Sequence, residues 1–310
     1  MTPPLTVALF GECMIELQGE AFGTMRQTFG GDTLNTAVYL ARSGASRGVR
    51  ATYATGLGDD RYSDEMLRRW QLEGVGTELV RRVPGRVPGL YTISVDERGE
   101  RTFTYWRDSS AARAYFDVAP TPLEQSVGEL DALYFSGISL AILSAAARER
   151  LFETARRVRA QGGRVIFDNN YRPRLWPDAP TARAAYEQAL TLSDVALVTL
   201  DDEQLLHGDA SLAESRARSL AAPCGEVVIK QGGEPVVVRL AGSAPVEVPA
   251  VRVQRVVDTT AAGDSFAGAY LAARLSGAPA TDAAAAGARL AAQVIQHRGA
   301  IIAPELIDAL

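Results

Sequence analysis

Toward the end of the chain stands Val256-Val257-Asp258-Thr259-Thr260-Ala261-Ala262-Gly263-Asp264-Ser265-Phe266, followed by a helical run with Ala267, Leu271 and Leu275. Small residues that open a helix leave its first N–H groups unpaired and approachable, and with the helix dipole these make an anion site. Asp264 there reads in two ways. It is a first-turn or capping acid, or it is a carboxylate placed to take a proton from a hydroxyl as a phosphoryl group arrives. A second constellation is Phe29-Gly30-Gly31-Asp32-Thr33-Leu34-Asn35-Thr36-Ala37. Its paired glycines let a small ligand approach the backbone, and Asn35 offers both a donor and an acceptor from the first helical turn. The plainer reading is a glycine turn capped by Asp or Thr.

The elements that position these residues follow from periodicity. Short β-branched runs at Val7 to Phe10, Ala51 to Thr55, Ala132 to Phe135, Arg164 to Phe167, Val195 to Thr199 and Val227 to Lys230 read as strands. Between them lie helical stripes such as Leu34, Val38 and Ala41, then Met66, Leu67 and Trp70, then Leu151, Ala155 and Val158. The last begins at Ser144 as N-cap and stops at Gly162-Gly163. This alternation predicts a mostly parallel sheet covered on both faces, with right-handed crossovers and ligands outside the carboxyl ends of the strands. At those ends stand Gly11-Glu12, Gly56-Leu57-Gly58-Asp59-Asp60, Ser136-Gly137, Asp168-Asn169-Asn170-Tyr171-Arg172, Thr199-Leu200-Asp201-Asp202 and Lys230-Gln231-Gly232-Gly233. Any one of these is also ordinary turn chemistry. Two stretches, about 14–29 and 89–107, break the rhythm with strand-like alternation, and Asp96-Glu97-Arg98-Gly99 reads as a hairpin turn. They predict a small accessory sheet.

The composition bounds the rest. The chain has 310 residues, 47% hydrophobic and 22% charged with a net charge of −5, and a pI near 5.3, which describes an ordinary soluble globular protein. Cys13 and Cys224 are too few for a disulfide framework, and His207 and His297 too few for a His-rich metal site; a reducing cytoplasm is the natural location. We assign these four residues no chemistry. The absence of a long apolar run and of a basic N-terminal region leads us to expect neither a membrane span nor a signal peptide. Dispersed arginines in an acidic chain argue against nucleic acid as a principal partner. Of the 32 basic residues all but Lys230 are arginine, an imbalance that codon bias explains except at that one position.

Neither a dinucleotide fingerprint nor a P-loop is present, which disfavours a nicotinamide oxidoreductase. Taken together, GGDTLNTA, GLGDD and DTTAAGDSF resemble the signature regions of the PfkB, or ribokinase-like, carbohydrate kinases. The resemblance extends through Gly11 to Leu17, Leu90-Tyr91, Arg101 to Arg107, Ser136 to Leu143 and Asp168 to Trp176, where it is nearest to the family's kinases of 2-keto-3-deoxygluconate.

That resemblance implies an α/β fold, a three-layer α/β/α sandwich with a mostly parallel central sheet and a small β lid. It implies one kinase domain over 1–310, with the lid inserted from about 14–29 and 89–107. It also implies ATP with Mg²⁺, an optional monovalent cation, and phosphorylation of a sugar acid at its 6-hydroxyl. Asp264 would be the base, and the N–H groups of Ala261, Ala262, Gly263 and Asp264 would hold the transferring charge. Gly31, Asp32 and Asn35 would contact sugar hydroxyls. A substrate carboxylate calls for planar, two-pronged cations; Arg107 and Arg172 lie in the corresponding segments, with Tyr91 and Tyr105 as hydroxyl donors and Asn170 beside them. Lys230, Gly232 and Gly233 would belong to the ATP loop, Lys230 facing either a phosphate or an acid at the sheet rim.

Two departures from the family pattern matter. Its N-x-x-E motif corresponds to Thr199-Leu200-Asp201-Asp202-Glu203, which leaves open whether Asp202 or Glu203 supports Mg²⁺. Ala261 replaces a frequent glycine, and an alanine is expected to keep an ordinary backbone conformation. The rival readings are a kinase of a neutral sugar such as fructose or ribose, and a non-catalytic sugar-acid sensor on the same fold. An exposed lid bearing Ile93, Phe103 and Trp106 should close over substrate or join two copies into a homo-oligomer.

Overall fold

The computed structural model describes residues 3–95 and 101–307. The strands are β1 (Leu5–Phe10), β2 (Met14–Gly19), β3 (Met25–Gly30), β4 (Val49–Leu57), β5 (Val80–Arg82), β6 (Leu90–Val95), β7 (Arg101–Trp106), β8 (Ala132–Ser136), β9 (Arg164–Asp168), β10 (Val195–Thr199), β11 (Glu226–Lys230), β12 (Val236–Leu240) and β13 (Val246–Val248). Nine form the main sheet in the order β13-β12-β11-β10-β9-β8-β1-β4-β5, and four form a smaller sheet in the order β3-β2-β6-β7. From β11 to β5 the main sheet is parallel.

Each central strand feeds two cores because successive side chains point to opposite faces. Val7 and Leu9 of β1 and Ala132 and Tyr134 of β8 join the core beneath the helices Asp32–Gly44, Ala262–Leu275 and Ala280–Val294. Ala8, Phe10, Leu133 and Phe135 join the opposite core, beneath Ala145–Ala160 and Ala179–Leu192. Strands buried on both faces read as continuous apolar runs, which is why they were legible. The predicted N-cap is also present, the Ser144 hydroxyl accepting from the Ala147 amide at 3.2 Å.

β10 matches its predicted run, the other predicted strands extend theirs by one or two residues at an end, β4 at both ends, and β5, β12 and β13 were not foreseen. After Lys230 the chain turns back as a hairpin, and β12 and β13 pair antiparallel at the sheet edge. The small sheet is built from the two stretches that broke the α/β rhythm. The hairpin expected at Asp96 to Gly99 lies outside the described residues. Ile93 is not exposed as expected: it is buried with Met14 and Tyr91 in a small core of its own, whereas Trp106 stands 57% exposed. Among the described residues no helix is long and apolar enough to cross a membrane.

The close approach of two helices places the chemistry. A Cβ on Gly268 would lie 2.6 Å from the Cβ of Tyr39, so only glycine lets the helix Ala262–Leu275 rest on the helix Asp32–Gly44. Their N-termini meet at the carboxyl edge of the sheet.

Candidate active site

At that edge, under the small sheet, lies a cavity of about 1110 Å³, large enough for a small sugar acid together with a nucleotide's phosphates. Gly31, Asp32, Asn35, Tyr91, Tyr105, Arg107, Asn170, Arg172, Lys230, Ala261, Ala262, Gly263 and Asp264 all line it. Gly232 and Gly233 do not. They form the exposed turn between β11 and β12, with the Glu234 amide donating to the Gln231 carbonyl at 3.1 Å.

Asp264 is the acid of the first turn of its helix, whose N-cap is Ala261, and not the cap itself. Its Oδ2 accepts from Asn35 Nδ2 at 2.8 Å. The Ala262 amide is used by the Thr259 carbonyl at 3.2 Å, whereas the amides of Gly263 and Asp264 have no acceptor among the described residues. An orphaned helix N-terminus of this kind suits an anion. Ala261, expected in an ordinary conformation, has φ 59° and ψ 17°, the left-handed region, which costs an L-residue roughly 1–2 kcal/mol. The preceding turn is pinned by Asp258, whose two oxygens accept from the amides of Thr260 at 2.9 Å and Gly299 at 2.8 Å. That anchoring holds Ala261 in the strained state.

The acidity of Asp264 follows from its surroundings. Desolvation in the cleft, then the nearby charge of Asp32 and that of Asp168, push its pKa up to about 7, against the opposing effects of the Asn35 hydrogen bond and Lys230. A carboxyl so poised is ionised often enough near neutrality to act as a base and basic enough to take a proton. Asp32 is itself raised by desolvation while accepting from Ser136 Oγ at 2.5 Å and Asn170 Nδ2 at 2.8 Å.

Lys230 pairs with the acid at the sheet rim and also borders the cavity. Its ammonium bonds Asp168 Oδ2 at 2.9 Å, and it lines the cavity 3.5 Å from where a Gly263 Cβ would stand. Of the two acids at the family's acid position, Asp202 lines the cavity and Glu203 does not. Glu203 is buried beside His207 at 3.3 Å, with desolvation raising its pKa to about 7.

Two expected substrate ligands are already engaged. Arg107 is buried and ion-paired with Glu12, its Nε donating to Glu12 Oε2 at 2.8 Å. The hydroxyl of Tyr91 donates to Glu16. These partners lie 95 and 75 residues away, pairings that no local spacing reveals. Arg172 is partly engaged, through Nη1 alone, with Asp202 at 3.1 Å and the Tyr171 carbonyl at 2.6 Å. Its Nε and Nη2 edge has no partner among the described residues. Tyr105 stays half-exposed, its ring 5.9 Å from the Arg107 guanidinium. Sequence reasoning passed over Arg174, an exposed cation on the cavity wall with no ion pair among the described residues; its spacing of two from Arg172 was the available signal. Gly31 is required by contact, since a Cβ would lie 2.2 Å from the Glu12 carbonyl oxygen.

Comparison with known proteins agrees with this geometry. Residues 5–306 match the family described as pfkB family carbohydrate kinase. The chain is 48% identical to a 2-dehydro-3-deoxygluconokinase of Dickeya dadantii, with 98% of each chain covered. It is 40% identical to a 2-dehydro-3-deoxygluconokinase of Haemophilus influenzae over 96% of this chain and 95% of the relative. Among solved structures, an aminoimidazole riboside kinase from Salmonella enterica complexed with aminoimidazole riboside and an ATP analogue superposes with a TM-score of 0.79 at 25% identity, covering 97% of each chain.

Proposed function

The chain belongs to the pfkB family of carbohydrate kinases, and from that premise we propose that it transfers the γ-phosphoryl group of ATP to the 6-hydroxyl of 2-keto-3-deoxygluconate. The observation that carries this reading is the carboxylate of Asp264, oriented by Asn35 at 2.8 Å, beside unpaired amides at a helix N-terminus. In the reaction the 6-hydroxyl loses its proton to Asp264 as its oxygen bonds the γ-phosphorus; the bond from that phosphorus to the bridging oxygen breaks, and ADP departs. The amides of Gly263 and Asp264 meet the charge on the transferring group, and Lys230 adds a cation beside them. Positioning and electrostatics, rather than covalent chemistry, carry the rate.

The donor set fits ATP with Mg²⁺. The amide cradle suits phosphate, and no group of three or more His, Cys, Asp or Glu among the described residues makes a metal cage. Mg²⁺ bound mainly by phosphate oxygens and water would neutralise phosphate charge, with Asp202 as the acid for a water-mediated contact. The nucleotide's outer end runs from Lys230 toward the turn at Gly232 and Gly233. A monovalent cation belongs to the reading through family resemblance, and a dependence of turnover on K⁺ would test it.

The acid end of the substrate is read by Arg172, whose Nε and Nη2 edge suits a carboxylate, with Arg174 beside it and Tyr105 as hydroxyl donor. Gly31, Asp32 and Asn170 border the sugar. This charge pattern favours a sugar acid over neutral fructose or ribose. Coupled detection of ADP with both keto-acid epimers, fructose and ribose as acceptors tests it: turnover of the keto acid is expected, and preferred turnover of a neutral sugar would overturn it. The exposed Trp106 on the edge strand β7 supports self-association through the small sheet; light scattering that gives a monomer would reject that part alone.

A further inference from the structure

Lys230 and Asp168 form an ion pair in the cavity wall, and the transfer chemistry by itself assigns Asp168 no task. Asp168 ends β9 and Lys230 ends β11, with β10 between them. The lysine therefore reaches across one whole strand to bond Asp168 Oδ2 at 2.9 Å. Both residues are buried, at 4% and 9% exposure. Two buried opposite charges gain little over an apolar pair of similar volume, so stability is a weak reason for them. Their place at the cavity is a better one.

Asp168 is itself fixed from another side. Tyr134, on the neighbouring strand β8 and buried in the core, donates its hydroxyl to the same Oδ2 at 3.3 Å. The phenol sets where the carboxylate stands, and the carboxylate sets where the ammonium stands. A lysine head on a flexible four-carbon stem has many positions open to it; the bond to Asp168 holds this one. Of its three N–H groups one is taken by Asp168, and the other two have no partner among the described residues. They lie beside the orphaned helix N-terminus, since a Cβ on Gly263 would stand 3.5 Å from the Lys230 nitrogen. The pair is also within electrostatic reach of the base: the charge of Asp168 raises Asp264 and that of Lys230 lowers it. A cation held in advance where charge arrives needs no reorganisation during the reaction.

We infer that Asp168 is a positioning residue, which holds the Lys230 ammonium at the phosphate cradle so that the transferring group meets a cation already in place. This role rests on the kinase reading above. It makes the two residues interdependent. Without Asp168 the ammonium is unplaced, and without Lys230 the carboxylate of Asp168 is a bare negative charge in the wall that phosphates approach.

The test is steady-state kinetics of wild type, Asp168→Asn, Asp168→Ala, Lys230→Ala and the double variant Asp168→Ala with Lys230→Ala, all at a pH above the acid limb. Loss of the charged hydrogen bond in Asp168→Ala should lower kcat by about 10- to 100-fold, while the KM values for ATP and for the sugar acid change by no more than a few fold. Asp168→Asn keeps an acceptor for the ammonium, so its kcat should lie between those of wild type and Asp168→Ala. Once Lys230 is alanine, removing Asp168 should lower kcat no further, and it should bring the KM for ATP back toward the wild-type value because the bare charge is gone. Losses that multiply in the double variant would mean two separate tasks and overturn the inference. So would an unchanged kcat in Asp168→Ala, or a KM raised about tenfold or more for either substrate in that variant, which would make Asp168 a ligand rather than a tether. If Lys230→Ala does not fold, Lys230→Met fills the volume of the stem without its charge and takes its place. Failure of the wild type to turn over the keto acid would instead refute the kinase reading.

Discussion

Replacing Asn35 with alanine removes the amide that donates to Asp264 Oδ2 across 2.8 Å, and the consequence should be visible in the pH dependence of the reaction. A hydrogen bond to an ionised acceptor contributes about 1.5–3 kcal/mol, and about 1.4 kcal/mol corresponds to one pH unit. The pKa of Asp264, at about 7 in the intact site, should therefore rise to about 8–9. The acid limb of kcat/KM, which reports the free enzyme's base, should move with it. Near neutral pH the ionised fraction drops from about half to between about a tenth and a hundredth, and activity should recover toward about pH 10. Asp32→Asn acts in the opposite sense, because the charge of Asp32 raises Asp264; its limb should fall below that of the wild type. Reading limb position rather than height separates this effect from lost sugar contacts. A limb that stays at the same pH in both variants, or moves the same way in both, would refute the account of the base.

Asp264→Asn should lower turnover by about 10²- to 10⁴-fold and yet melt higher than wild type above neutral pH. The folded chain keeps a proton up to about pH 7 that the unfolded chain releases near the ordinary aspartate value, so wild-type stability falls as pH rises from about 4 to about 7. Calorimetry at both ends of that window should find the variant's advantage at the upper end only. Ala261→Gly relieves roughly 1–2 kcal/mol of backbone strain but adds about 0.5–1 kcal/mol of chain entropy; denaturant titration should show a neutral change or a gain of about 1.5 kcal/mol at most. Gly268→Ala places a methyl 2.6 Å from the Tyr39 Cβ, so the two helices separate, with an expected loss of about 1–3 kcal/mol and impaired turnover. Lys230→Ala should raise the KM for ATP by about tenfold or more and also leave Asp168 without its cation; unchanged ATP kinetics would confine Lys230 to the acid at the sheet rim.

How far the sequence carried depended on the range of the interaction. The buried parallel strands were legible because burial on both faces writes itself into consecutive residues, and the signature segments marked both halves of the site. The edge strand β12 was missed because the turn at Gly232 and Gly233 that leads into it read equally well as a nucleotide loop, and the short β13 beyond the turn at Gly242 is only three residues long. Ala261 defeated a sound local rule. Its own preference opposes the left-handed backbone, but Asp258 anchors the turn from outside, through contacts with Thr260 and with Gly299, 41 residues from it. Arg107 and Tyr91 line the cavity as expected, yet their acidic partners lie 95 and 75 residues away in the sequence, so which of their atoms remain open to a ligand could not be read from spacing.

The pairing of Asn35 with Asp264 spans 229 residues, and this gives the site a place in time as well as in space. A ribosome adding about 5–20 residues per second needs on the order of ten to fifty seconds to pass from one to the other. During that interval the emerging chain already carries its sugar-facing loop but has neither base nor phosphate cradle. Partial translation products and prematurely terminated chains are thus silent as phosphotransferases, and nucleotide is committed only after the last helices dock onto the first.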